Sequence, residues 1–150
     1  MRYTRYAVIA LVLFLTFGFI AYAQEAKEGE HEHAMGKEKR VVAAIGADGV
    51  QHVEVTGGEY YFDPNYIIVK VNVPVELSVK KAEGFVPHNI GVKAPEAGID
   101  FKVDLHAKKP GIVKFTPTKA GKYGMICDKK LLWFKSHKER GMDGYIEVVP

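Results

Sequence analysis

From residue 41 onward the chain consists of short runs rich in Val, Ile, Tyr and Phe, separated by Gly, Pro and Asn. That texture restricts the fold more than any other feature, because runs of four to eight β-formers bounded by turn residues are too short for packed helices. Nine candidate strands result: residues 41–45, 50–56, 60–62, 66–72, 75–80, 85–92, 112–116, 122–127 and 144–149. In VELSVK and IVKF the apolar residues alternate, the period of a strand with one buried face. Nine strands over about 110 residues predict one all-β domain, an antiparallel sandwich or barrel. Residues 129–140 break the pattern. They hold no turn residue and place Leu131, Leu132, Phe134 and Lys138 along one helical face, which predicts a short helical insertion between Cys127 and His137.

The stretch before this domain divides in two. Residues 1–23 carry Arg2 and Arg5, then the apolar run AVIALVLFLTFGFI, then Ala21-Tyr22-Ala23, a small-x-small cleavage site. This order is that of a secretory signal peptide, although the run also meets the roughly 17-residue minimum for an uncleaved anchor. Residues 24–40, QEAKEGEHEHAMGKEKR, alternate acids and bases with almost nothing to bury and predict a disordered charged linker. His31, His33 and Met35 within it belong to a solvated tether and would collect a soft metal ion only loosely.

Cleavage after Ala23 removes two cations and no acid, leaving 19 Lys and Arg against 18 Asp and Glu. A mature chain so nearly neutral gives no electrostatic footprint for nucleic acid. The expected product is periplasmic or otherwise exported, monomeric, and without a membrane span.

Chemistry concentrates near the C-terminus. Cys127, the single cysteine, is followed by His137 and Met142, and His88 lies upstream in VPHNIGV. A lone cysteine cannot form an intrachain disulfide, a dithiol redox pair or the paired-cysteine arm common in structural zinc sites. It can be a buried small hydrophobe. One thiolate, two imidazoles and one thioether together are the ligand set that favours copper in an electron-transfer geometry.

These residues resemble the cupredoxins, or blue copper proteins, over about residues 41–150. Three segments carry the resemblance, in the right order: VPHNIGV with His88 and Asn89; KPGIVKFTPTKAGKYGMIC with Gly121, Tyr123 and Cys127; and SHKERGMDGYIEVVP with His137 and Met142. The resemblance implies a Greek-key β-sandwich or barrel holding one copper ion that cycles between Cu(I) and Cu(II). Its ligands would be His88, Cys127, His137 and, as the long axial donor, Met142. It also implies that Asn89 hydrogen-bonds to the Asp128 backbone and restrains the ligand loop.

Nine residues, DKKLLWFKS, separate Cys127 from His137, more than in most small blue proteins. The loop is similar in length to that of the type 1 site of copper nitrite reductases, and ends in a similar Gly-Met-x-Gly run. In those enzymes a histidine before the cysteine serves a second copper; here Ile126 stands there. The dinuclear centre of cytochrome oxidase subunit II needs a second cysteine where this chain has Leu131.

The resemblance therefore points to a single-electron carrier between exported redox proteins such as cytochromes, and not to an enzyme. Copper delivery with help from the His31, His33 and Met35 tail is the alternative, and a copper oxidoreductase with an open coordination position a third. Met125 is expected in the core, and His52 and His106 at the surface. Trp133 and Phe134 either plug the core or form a docking patch, which Lys129, Lys130, Lys135, Lys138 and Arg140 would surround with positive charge. His137 is expected to turn its outer edge to solvent.

Overall fold

The computed structural model describes residues 37–130 and 132–150. The expected signal peptide, the His31, His33 and Met35 tail, and Leu131 lie outside the described residues. Within them the chain forms eleven strands: β1 (Arg40–Val42), β2 (Ala44–Ile45), β3 (Gln51–Gly58), β4 (Tyr61–Asp63), β5 (Tyr66–Lys70), β6 (Val75–Lys81), β7 (Asn89–Ala94), β8 (Ile99–Asp104), β9 (Gly111–Phe115), β10 (Gly121–Ile126) and β11 (Asp143–Val149). Six of them make one sheet in the order β1-β5-β11-β10-β7-β8. The rest make a second sheet, β2-β3-β6-β9, with β4 paired to β3.

The two-residue period decides which side chains meet between the sheets. In β3, Val53 and Val55 point inward while His52 and Glu54 point out. Leu77 and Val79 of β6 face Ile67 and Val69 of β5, Ile90 of β7, Met125 of β10 and Ile146 of β11 in one core. Each such side chain contributes about 1.5–3 kcal/mol when fully buried. Among the buried polar side chains, Gln51 ties two strands together. Gln51, with no exposed surface, donates from Nε2 to the carbonyls of Lys70 and Val73, each at 3.1 Å, and its Oε1 accepts from the Lys70 N–H at 2.6 Å. All its hydrogen-bonding groups are thereby satisfied, and the start of β3 is fastened to the end of β5.

Four expectations need correction. The sheets are mixed rather than antiparallel, since β1 and β11 both run parallel to β5, and β3 runs parallel to β6. β8 was not anticipated at all. The expected strand at residues 85–92 starts only at Asn89, with Phe85 fully exposed before it. The helical insertion shrinks to a single 3-10 turn, Lys138–Arg140, which follows His137 rather than preceding it. Ahead of that turn the chain bends, and Leu132 adopts φ 50°.

The domain also begins slightly earlier than the charged linker suggested. The Lys39 N–H donates to Asn65 Oδ1 at 2.7 Å, its carbonyl accepts from the Tyr66 N–H at 3.2 Å, and Arg40 already lies in β1.

Candidate metal centre

The ends of β7, β10 and β11 meet at one pole of the sandwich, and the ligand candidates sit on the chain just beyond them. The Cys127 N–H bonds the Met142 carbonyl at 3.1 Å, extending the β10–β11 ladder by one rung. The Met142 N–H bonds the His137 carbonyl at 2.9 Å, and the His137 N–H bonds the Lys129 carbonyl at 2.9 Å, so the loop folds back on its own backbone. On the other side the Leu105 N–H holds the His88 carbonyl at 2.9 Å.

This framework brings three donors together. His88 Nδ1 lies 3.1 Å from His137 Nδ1, and Cys127 Sγ lies 3.5 Å from the same nitrogen. The three ligand atoms all fall within 4.8 Å of one another. All three residues are buried: His88 is 3% exposed, His137 2% and Cys127 0%.

The electrostatics hold the two imidazoles unprotonated. Burial lowers the pKa of His88 to about 4, helped by His137 and Lys81. Burial, then the Arg140 charge, lowers that of His137. Both imidazoles are thus neutral near pH 7 and present lone pairs. Burial raises the Cys127 thiol, while the Asn89 N–H, 3.4 Å from Sγ, works in the opposite direction.

Three buried polar groups that find mainly one another are costly unless something else satisfies them. A metal ion does so. With bonds of about 2.0–2.1 Å to imidazole and about 2.3 Å to thiolate, donors sharing one ion lie about 3–4 Å apart, which is the spacing of His137 from both His88 and Cys127. The two-nitrogen, one-thiolate set is that of copper electron-transfer sites.

Met142 is fully buried, and its backbone bridges Cys127 and His137. Gly57 makes room beside it: a Cβ there would come within 2.3 Å of Leu105 Cδ1 and 3.2 Å of Met142 Cε. Met125 is also buried, but its Cε packs towards Gly144 of β11, as a core side chain. His52 is exposed and pairs with Asp48 at 2.9 Å, and His106 is exposed too.

Asn89 spans the gap to the ligand loop. Its Oδ1 accepts from the Asp128 N–H at 3.0 Å, as expected, and its Nδ2 also donates to Asp128 Oδ1 at 2.6 Å. Lys102 holds the other carboxylate oxygen of Asp128.

Two features differ from the sequence reading. Trp133 is 81% exposed and stacks on Phe134 with ring centroids 6.1 Å apart, which excludes the core-plug alternative. His137, expected to show an edge to solvent, is covered by Tyr60. The Tyr60 ring stands nearly perpendicular to both imidazoles, with centroids 5.1 Å from His137 and 6.1 Å from His88. Its backbone has φ 63°, a conformation that costs a bulky residue about 1–3 kcal/mol and persists only where its surroundings enforce it. The only sequence trace of this role is the Gly57-Gly58 pair shortly before it, a sign of close backbone approach.

The cupredoxin-like domain family matches residues 8–141. The chain belongs to that family. Among solved structures this cupredoxin-like chain is similar to the metal-binding domain of the Cu(I)-exporting P-type ATPase CopA of Streptococcus pneumoniae, at 20% identity and TM-score 0.55, over 77% of this chain and 100% of that one. It is similar to reduced auracyanin from Roseiflexus castenholzii at 20% identity and TM-score 0.53, over 66% and 97%. Auracyanin A, a blue copper protein from Chloroflexus aurantiacus, matches at 22% identity and TM-score 0.51, over 67% and 100%. None of the curated proteins matches in sequence. At these identities the likeness is one of fold.

Proposed function

We propose that this cupredoxin-like protein is an exported, mononuclear copper-binding electron carrier. The observation that carries the reading is the convergence of His88, Cys127 and His137, three buried donors from two separate segments. Met142, buried beside them, would complete the set as a weak thioether donor. Bound there, copper supplies a one-electron couple between Cu(I) and Cu(II).

The chain's own contribution is to hold the donors still. The Asn89–Asp128 bonds fix the start of the ligand loop, and the His137–Lys129 and Met142–His137 bonds fix its return. A donor set that moves little between oxidation states keeps the reorganisation cost of electron transfer low. With four protein ligands and a covering tyrosine, no coordination position is left for a substrate, which argues against the oxidoreductase reading and against an enzymatic role.

The partners that suit this pole are redox proteins, cytochromes among them, with an acidic, partly apolar face. Leu132, Trp133 and Phe134 are exposed there beside Lys129, Lys130, Lys135, Lys138 and Arg140. Residues 1–23 would direct export and residues 24–38 would tether the domain. No helix among the described residues is long and apolar enough to cross a membrane.

Copper delivery is the second reading, supported by the likeness to a domain from a Cu(I) exporter. The visible spectrum of the copper-loaded protein separates the two. An intense thiolate-to-copper band that appears and disappears reversibly on oxidation and reduction is expected. A colourless, oxidation-resistant Cu(I) form would overturn the electron-carrier reading.

A further inference from the structure

We propose that Tyr60, clamped from outside by Arg140, is the seal of the metal centre: its ring keeps water and small anions from the two imidazoles and so holds the ion to its protein donors. This rests on the reading of His88, Cys127 and His137 as a copper site.

Four observations lead to it. Tyr60 lies in the turn between β3 and β4, on the sheet opposite the ligand loop, yet its ring reaches both imidazoles. The two contacts are nearly perpendicular, at 82° and 89°, so one ring covers both histidines at once. The histidines are 2% and 3% exposed while Tyr60 is half-buried, which makes Tyr60 a layer between them and solvent. Finally, the Arg140 guanidinium sits 4.7 Å from the Tyr60 ring centroid, and the Arg140 N–H bonds the His137 carbonyl at 3.1 Å. The segment that carries one histidine also carries the clamp on its cover.

The left-handed backbone at Tyr60 belongs to the same arrangement. A ring-bearing residue held at positive φ in a tight turn signals that its side chain is needed where it points. No hydrogen bond is formed by the Tyr60 hydroxyl among the described residues, so the flat ring does the sealing. Tyr60 is therefore a positioning residue whose phenylalanine variant should behave as wild type.

Two probes test this on the full chain. In the metal-free protein, iodoacetamide reacts with Cys127, the single thiol, which lies behind His137. Its rate should rise about tenfold, equivalent to about 1.4 kcal/mol of protection lost, in Tyr60→Ala and stay at the wild-type value in Tyr60→Phe. In the copper-loaded protein, azide should leave the visible spectrum of wild type and Tyr60→Phe unchanged and shift that of Tyr60→Ala. Arg140→Gln, which leaves the turn intact, should fall between, and it serves if the alanine variant does not fold. Flat labelling rates across the variants, or azide sensitivity already present in wild type, would overturn the seal. Failure of the wild type to bind copper at all would instead overturn the copper reading, while the labelling series would still decide the role of Tyr60.

Discussion

Asn89 holds Asp128 at both ends of its side-chain amide, accepting from the backbone N–H at 3.0 Å and donating to the carboxylate at 2.6 Å. The residue next to one ligand candidate is thereby tied to the residue next to another, across the β7–β10 edge. Asn89→Ala should remove both bonds and leave the Asp128 N–H without its partner, at a cost of about 1–3 kcal/mol. A lowered thermal midpoint in the metal-free protein and a broadened copper spectrum are the expected readings. An unchanged spectrum would mean that the backbone bonds alone hold the loop.

Cys127→Ser should abolish the coloured band, because in the proposed site the thiolate would supply the covalent bond to copper. The buried position tolerates the smaller polar group at about 1–3 kcal/mol, so circular dichroism should still report a folded sandwich. A surviving band would remove Cys127 from the site.

Met142→Leu keeps the volume of a fully buried side chain and should cost less than about 1.5 kcal/mol. Losing a thioether donor disfavours Cu(II), so the reduction potential should rise while copper is retained. A potential equal to that of wild type would show that the thioether is not a ligand.

Trp133→Ala removes an exposed ring and should change stability by no more than about 0.5 kcal/mol. If the patch is a docking face, the variant slows electron exchange with an acidic partner. Charge reversal at Lys135 and Lys138 should do the same, most strongly at low salt, where the Debye length is about 30 Å rather than about 8 Å. Rates equal to wild type at every ionic strength would move the docking face elsewhere.

The tail separates carrying electrons from carrying copper. Lys39 is built into the sheet edge through Asn65 and Tyr66, so a clean deletion stops before it. Removing residues 24–36 should leave spectrum, potential and exchange rate unchanged in an electron carrier. A fall in copper transfer to an acceptor would favour delivery.

The strands and most of the converging donors were legible because both depend on local pattern: period-two alternation, and Cys127, His137 and Met142 spaced along the β10–β11 connection, with His88 found upstream in VPHNIGV. β8 was missed although Ile99, Phe101 and Val103 alternate with Asp100, Lys102 and Asp104, a pattern whose charged face obscures the strand. Strand direction was not legible, since parallel pairing of β3 with β6 depends on where distant residues meet. The helical expectation for residues 129–140 failed because absence of turn residues does not make a helix; backbone bonds from His137 to Lys129 and from Met142 to His137 fold the loop instead. Tyr60 was invisible because nothing in its neighbourhood of sequence mentions a histidine. Only the packing of the β3–β4 turn over the opposite sheet brings them together.

β11 lies between β5 and β10, parallel to one and antiparallel to the other. Until its residues arrive, those two strands face each other across an empty slot, and the larger sheet exists as two fragments with bare hydrogen-bonding edges. A nascent chain therefore cannot complete this sheet before β11 is present. Since β11 follows directly on the loop bearing His137 and Met142, the same pairing that joins the halves also brings those two residues to Cys127, so the donor cluster and the larger sheet are completed together.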